Sequence, residues 1–181
     1  MTSHPQDTPP EIAPDTKDWT WVLDERCPEC GFAALDVEPT AIGATVRALA
    51  PRWVGALSRS DARQRPEPSV WSVLEYGAHV RDVHIVFGRR LVSMLEHEDP
   101  LFENWDQDAT ALEDRYDLQS PAVVASELVD AADALADAFD GVTGDEWDRP
   151  GRRSNGSVFT VRTLGQYFLH DVVHHLHDVG A

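Results

Sequence analysis

Apolar residues return every third or fourth position in four stretches of this chain, and no stretch alternates convincingly in steps of two. The first, "EPTAIGATVRALAPRWVGALSR", repeats Ile42, Val46, Leu49, Trp53 and Leu57 behind a Pro39 suited to a first helical position, with Pro51 expected to kink it. The second runs from Ser69 to about Glu98 with Tyr76, Val80, Val83, Phe87, Leu91 and Met94 in step. The third opens on Ser120-Pro121, carries Val124, Leu128, Ala131, Leu135 and Ala138, and stops at Gly141. The fourth starts behind Thr160 as N-cap and ends at Gly180. Four such helices in one unit predict an all-α four-helix bundle, since each apolar stripe must be buried against others. Residues 99–119 are long for a hairpin and predict a crossover connection between the second and third helices.

The bundle domain is expected over residues 38–181. Ahead of it, residues 1–18 are rich in Pro, Asp and Thr and read as a disordered tail. Residues 19–37, "WTWVLDERCPECGFAALDV", hold two Trp and one Phe without a sustained period and read as an irregular arm that wraps the domain. No apolar run is long enough to span a bilayer, and the first residues lack the basic and apolar regions of a secretory signal, so a cytoplasmic location is expected. Acids outnumber bases 32 to 15, a formal charge of −17. Such a surface repels phosphate backbones and anionic lipid, so neither nucleic acid nor membrane is an expected partner. Lys17 is the single lysine among the 15 bases, a bias that GC-rich codons produce.

Half of the eight histidines fall in "HDVVHHLHDV", residues 170–179. Residues four apart on a helix share a face, so His170 and His174 can share one ion. His177 leans the same way, His175 falls on the other side, and Asp178 extends the 170/174 column. The apolar stripe Val161, Leu164, Phe168, Val172 and Val179 lies roughly opposite, which puts a metal at the bundle mouth or in a semi-polar groove. A third ligand must come from another helix. Of His79, His84 and His97, His79 sits on the apolar side of the second helix and points inward. The alternative is three satisfied or solvent-facing histidines.

Other residues carry two readings each. Glu75, one turn before His79, reads as a general base or as an acceptor orienting an imidazole, or else as an edge-of-core acid paired with Arg; Asp82 is similar. Arg152 and Arg153 in the loop "RPGRRSNGS" read as a fork for an anionic cofactor or substrate, or as a solvated loop. "ENWDQD" around Trp105 reads as a lid or as a packed Trp. Cys27-x-x-Cys30 supplies two thiolates where a structural zinc wants four ligands, which excludes a zinc ribbon unless histidines from elsewhere complete it. A redox dithiol lacks its usual βαβ setting, and a tight turn with reduced thiols remains the plainer reading.

"WSVLEYGAHVRD", followed later by "FTVRTLGQYFLHDVVHHLHDV", resembles the DinB-like superfamily over about residues 38–180. That group includes the metal-binding domains of mycothiol-dependent maleylpyruvate isomerases and thiol-dependent S-transferases. Trp71, His79, His170 and His174 match its pattern of a Trp-led second helix with one metal-binding His and a His-x-x-x-His pair on the last helix. The resemblance implies a divalent metal (Zn, with Ni or another ion as alternatives) on His79, His170 and His174. It also implies a thiol S-transferase or isomerase with a low-molecular-weight thiol such as mycothiol as co-substrate. A metal-dependent hydrolase using the same site with water is the alternative enzyme, and a binding protein closed by Asp178 or His177 is the alternative class. A small-molecule substrate and a homodimer are the expected partners. The chain departs from the family where His175 follows His174 in place of Arg. Cys27 and Cys30 lie outside the common domain.

Overall fold

The computed structural model describes Ile12 and residues 17–181; the rest of the expected tail lies outside the described residues. Local chemistry sets the helix starts. In α1 (Ile42–Leu57) the chain enters through a 3-10 turn at Pro39–Ala41, and the helix carries Pro51 within it. In α2 (Val73–Glu96) Ser72 accepts from the Glu75 amide while the Glu75 carboxylate accepts from the Ser72 amide, a reciprocal capping box. A short α3 (Gln107–Glu113) is capped by Asp106. Pro121 opens α4 (Pro121–Asp140), where its missing N–H costs nothing. Thr160 and Thr163 cap α5 (Val161–Asp178) in the same reciprocal way.

The four long helices form the expected bundle, with α1 and α2 each packed against both α4 and α5. α1 and α2 therefore face each other across one diagonal, and α4 and α5 across the other. The start of α1 meets the end of α4 closely: a Cβ at Gly43 would sit 2.8 Å from the Ala136 carbonyl oxygen, so glycine permits the approach. Arg81 bonds Glu127 and Gly88 lies beside Leu135, so α2 and α4 run parallel. Parallel neighbours need a long return, and residues 97–120 supply the predicted crossover.

A small sheet, absent from the sequence reading, ties that crossover to the segment before α5. Its strands β1 (Leu101–Phe102), β2 (Pro150–Arg153) and β3 (Val158–Thr160) stand in that order, with β1 parallel and β3 antiparallel to β2. Strands this short cannot show a period of two, which is why alternation missed them.

Trp53, Leu91, Met94, Leu128, Leu135, Leu164 and Phe168 fill the core, and the Val161–Val172 stripe of α5 faces it as its period predicts. His170 and His174 on another face of α5 are nonetheless buried, because residues 19–37 lie along that face: 3-10 turns at Trp19–Leu23 and Ala34–Asp36 contact α5, and Val22 and Cys27 are wholly buried. Among the described residues, no helix is long and apolar enough to cross a membrane.

Candidate metal centres

Successive residues of a helix point about 100° apart, so α5 presents two adjacent columns, 170/174 and 171/175/178. The structure gives each its own set of donors. His79 of α2 gathers with Asp171 and His175, their ligand atoms within 4.8 Å of one another, and His170 and His174 gather with Cys27 and Cys30 within the same limit. The expected trio His79, His170 and His174 is thus divided between two clusters. His175, assigned by its spacing to the far side from the 170/174 pair, is the residue that meets His79, with ring centroids 4.9 Å apart.

In the first cluster, His79 Nε2 and His175 Nε2 stand 3.6 and 3.7 Å from Asp171 Oδ1. These separations are too long for hydrogen bonds but close to the roughly 3.3–3.4 Å between two ligands about 2.0–2.1 Å from a tetrahedral ion. Both nitrogens of the fully buried His79 and the Asp171 Oδ1 lack any hydrogen-bond partner. Leaving such atoms bare is costly, and a shared cation would satisfy His79 Nε2 and Asp171 Oδ1 together. His175 Nδ1–H donates to Asp178 Oδ2 at 2.8 Å, which fixes its tautomer and turns Nε2 toward His79 and Asp171.

The His79 ring is stacked on Trp105 at 5.4 Å and backed by Trp71 at 5.3 Å. Burial holds His79 below the usual imidazole range, in the neutral form that ligates metals. Burial alone would raise Asp171, but its imidazole neighbours, His79 first, bring it down to about 2. Asp171 and His175 line a groove of about 700 Å³ whose walls include Trp71, Trp105, Arg153 and Tyr167; His170 and His174 line the same groove, and His79 is wholly buried away from it.

The second cluster lies under the arm. Cys27 Sγ is 3.7 Å from His174 Nδ1, and the buried His170 Nε2 has no hydrogen-bond partner. The Trp19 ring covers both imidazoles, at 5.4 Å from His170 and 4.8 Å from His174. Burial, and then the neighbouring His174, lower His170 to about 4.

The DinB superfamily profile matches residues 43–179. The chain belongs to the DinB superfamily. The DinB match takes in His79, Asp171 and His175 and leaves out Cys27 and Cys30. Among solved structures, this DinB chain is similar to YfiT from Bacillus subtilis, described as "a probable metal-dependent hydrolase with an unusual four-helix bundle topology". The two share 17% identity with a TM-score of 0.65, over 92% of this chain and 89% of that one. No curated protein matches the chain.

The remaining residues of interest in this DinB bundle are distributed as follows. Glu75 lies outside the groove: it is buried in the α2 cap and bound by Arg65, whose Nε donates to it at 3.0 Å. Its lone pairs are committed to Ser72 and Arg65, so the structure supports the paired-acid reading. Arg152 and Arg153 part company because successive strand residues face opposite sides. Arg152 pairs with Asp99 at 2.6 Å on an exposed face. Arg153 lines the groove, donating to Asn104 Oδ1 at 2.7 Å, with its Nε buried and without a hydrogen-bond partner. Trp105 both packs on His79 and walls the groove. His84 turns into the bundle and bonds the Val80 carbonyl; Asp82 takes the Tyr116 hydroxyl; His97 and His177 stay exposed.

The sequence signal for the first cluster was present in Asp171, His175 and Asp178, at i, i+4 and i+7. In a chain with 32 acids, two acids at that spacing look like an ordinary solvated face.

Proposed function

We propose that this chain is a metal-dependent hydrolase of a small anionic substrate, with His79, Asp171 and His175 holding one divalent ion, zinc by preference. The observation that carries this reading is the trio of converging donors, two of which leave buried polar atoms bare, with Asp171 and His175 on the wall of an open groove. Two imidazoles and one carboxylate leave a tetrahedral ion one position short, the arrangement of catalytic rather than structural zinc. A divalent ion bound there supplies Lewis acidity and makes a nucleophile available from water at neutral pH.

The chain's own residues do the rest. Asp178 orients His175 through Nδ1. Trp71 and Trp105 clamp the His79 ring and exclude water from its unbound nitrogen. Arg153, on the groove wall, presents a guanidinium charge to a substrate carboxylate or phosphate. That YfiT, which shares the fold, is described as a hydrolase agrees with this assignment.

The test is a panel of carboxylated esters, amides and phosphoesters assayed with zinc-loaded protein and with Asp171→Asn. Hydrolysis by the first and its loss in the second are expected. Transfer or isomerisation that depends on mycothiol or another small thiol, without hydrolysis, would replace this reading with the thiol-dependent one on the same three ligands. The substrate is expected to be a small molecule in either case.

A further inference from the structure

Beneath the arm, a second set of donors converges that the hydrolase reading does not use. We infer that Cys27, Cys30, His170 and His174 form a closed tetrahedral zinc centre that fixes residues 19–37 onto α5. The ligand atoms all lie within 4.8 Å of one another. The one printed sulfur–nitrogen separation, Cys27 Sγ to His174 Nδ1, is 3.7 Å. Zn–S of about 2.3 Å and Zn–N of about 2.0–2.1 Å at tetrahedral angles predict about 3.6 Å for that pair. Cys-x2-Cys with His-x3-His is a spacing that structural zinc sites use, and here the fold, rather than the sequence, supplies the second half.

The surroundings agree. Gly31, at φ 75°, closes a tight loop in which its amide donates to the Cys27 carbonyl at 2.9 Å and the Cys27 amide donates to Phe32 at 2.8 Å. This left-handed turn suits glycine and brings both sulfurs to one side of the loop. Cys27 is fully buried, and His170 and His174 are nearly so. The His170 Nε2 has no hydrogen-bond partner, which a metal would correct. The non-ligating Nε2 of His174 faces carboxylates, with Glu29 Oε2 at 3.6 Å and Asp178 Oδ1 at 3.8 Å, close enough to act on the ring by charge but not by a direct hydrogen bond.

Charge balances too: two thiols release two protons to solvent, and the resulting thiolates neutralise Zn²⁺ with no oxidation involved. Four protein donors leave no open position, so the role is structural. This inference does not rest on the hydrolase reading.

The experiment is the absorption spectrum of the full chain loaded with Co²⁺. A thiolate-to-cobalt charge-transfer band in the near ultraviolet and intense visible bands of tetrahedral cobalt are expected, corresponding to one thiolate-bound ion per chain. The charge-transfer band should persist in His79→Ala and vanish in Cys27→Ser/Cys30→Ser. Wild-type protein saturated with Co²⁺ but lacking the charge-transfer band would overturn the assignment without any variant having to fold. A Cys27–Cys30 disulfide in freshly isolated protein without bound metal would do the same. Hydrogen exchange on the chelated protein gives a second readout. Protection in residues 19–37 should fall while α2 and α4 stay protected, and unchanged protection in the arm would overturn the fixing role.

Discussion

Two columns of one helix, a single residue apart, carry the same i, i+4 spacing and lead to different chemistry. His170 and His174 are covered by the arm, which brings two sulfurs and closes the shell at four donors. Asp171 and His175 face α2, which brings only His79, and residues of both columns line the groove. The His-x-x-x-His pair therefore does not by itself decide whether a site is structural or reactive. The element packed against each column decides it, through the number of donors it adds. On the proposed reading, the DinB bundle holds the reactive cluster, and the segment ahead of it converts a neighbouring pair of histidines into a fastening.

The largest effect that can break this comparison is expected from Asp171→Ala. Removing the acid that lies between His79 and His175 should weaken the open cluster's ion by more than about a hundredfold and take hydrolysis to background. The ion at Cys27 and Cys30 should remain. Metal analysis after gel filtration checks this, and loss of both ions together would erase the distinction between the columns.

Asp178→Asn sharpens it. Asp178 accepts from His175 at 2.8 Å but stands 3.8 Å from His174. Affinity at the open cluster should fall by roughly 10–100-fold, with a smaller change at the closed one. Titration against a chelator of known affinity reads both.

Arg153→Ala should raise KM for an anionic substrate roughly tenfold, the value of one charge-assisted hydrogen bond, with metal content unchanged. Arg152→Ala should do little, because that side chain pairs with Asp99 away from the groove.

The smallest effect concerns acid. Buried His84 touches neither cluster; burial lowers it to about 4 from an ordinary value of 6.5. Between those values the unfolded chain binds a proton that the folded chain refuses. Stability should therefore decline as pH falls from 6.5 to 4 and level off below, by at most about 3 kcal/mol from this residue. Urea midpoints of metal-free protein at pH 7 and pH 4.5 measure the decline, and His84→Gln should flatten it. A decline that His84→Gln leaves untouched would assign all acid sensitivity to the cluster histidines.

The bundle was legible because apolar spacing, Pro121 and Thr160 all spoke for the same helices. The sheet was not, since strands of two to four residues show no period. Within the site, the spacing of His170 and His174 correctly put them on one face, and the inward reading of His79 agrees with its complete burial. What helical periodicity lacks is rotation: it names the residues of a column but not the element that column meets. Hence His79 was grouped with the 170/174 column, whereas the structure sets it beside Asp171 and His175, and Asp171 was passed over as one acid among many. The completion of Cys27 and Cys30 by distant histidines could be stated from sequence only as a condition, because it depends on where the arm returns to α5. Arg153 separated from Arg152 only once the strand that alternates them was visible.

The most direct test is anomalous diffraction at the zinc absorption edge from crystals of the zinc-loaded full chain. The account predicts two separate peaks, one among His79, Asp171 and His175 and one among Cys27, Cys30, His170 and His174. A single peak bound jointly by His79, His170 and His174, with the cysteines bare, would contradict it.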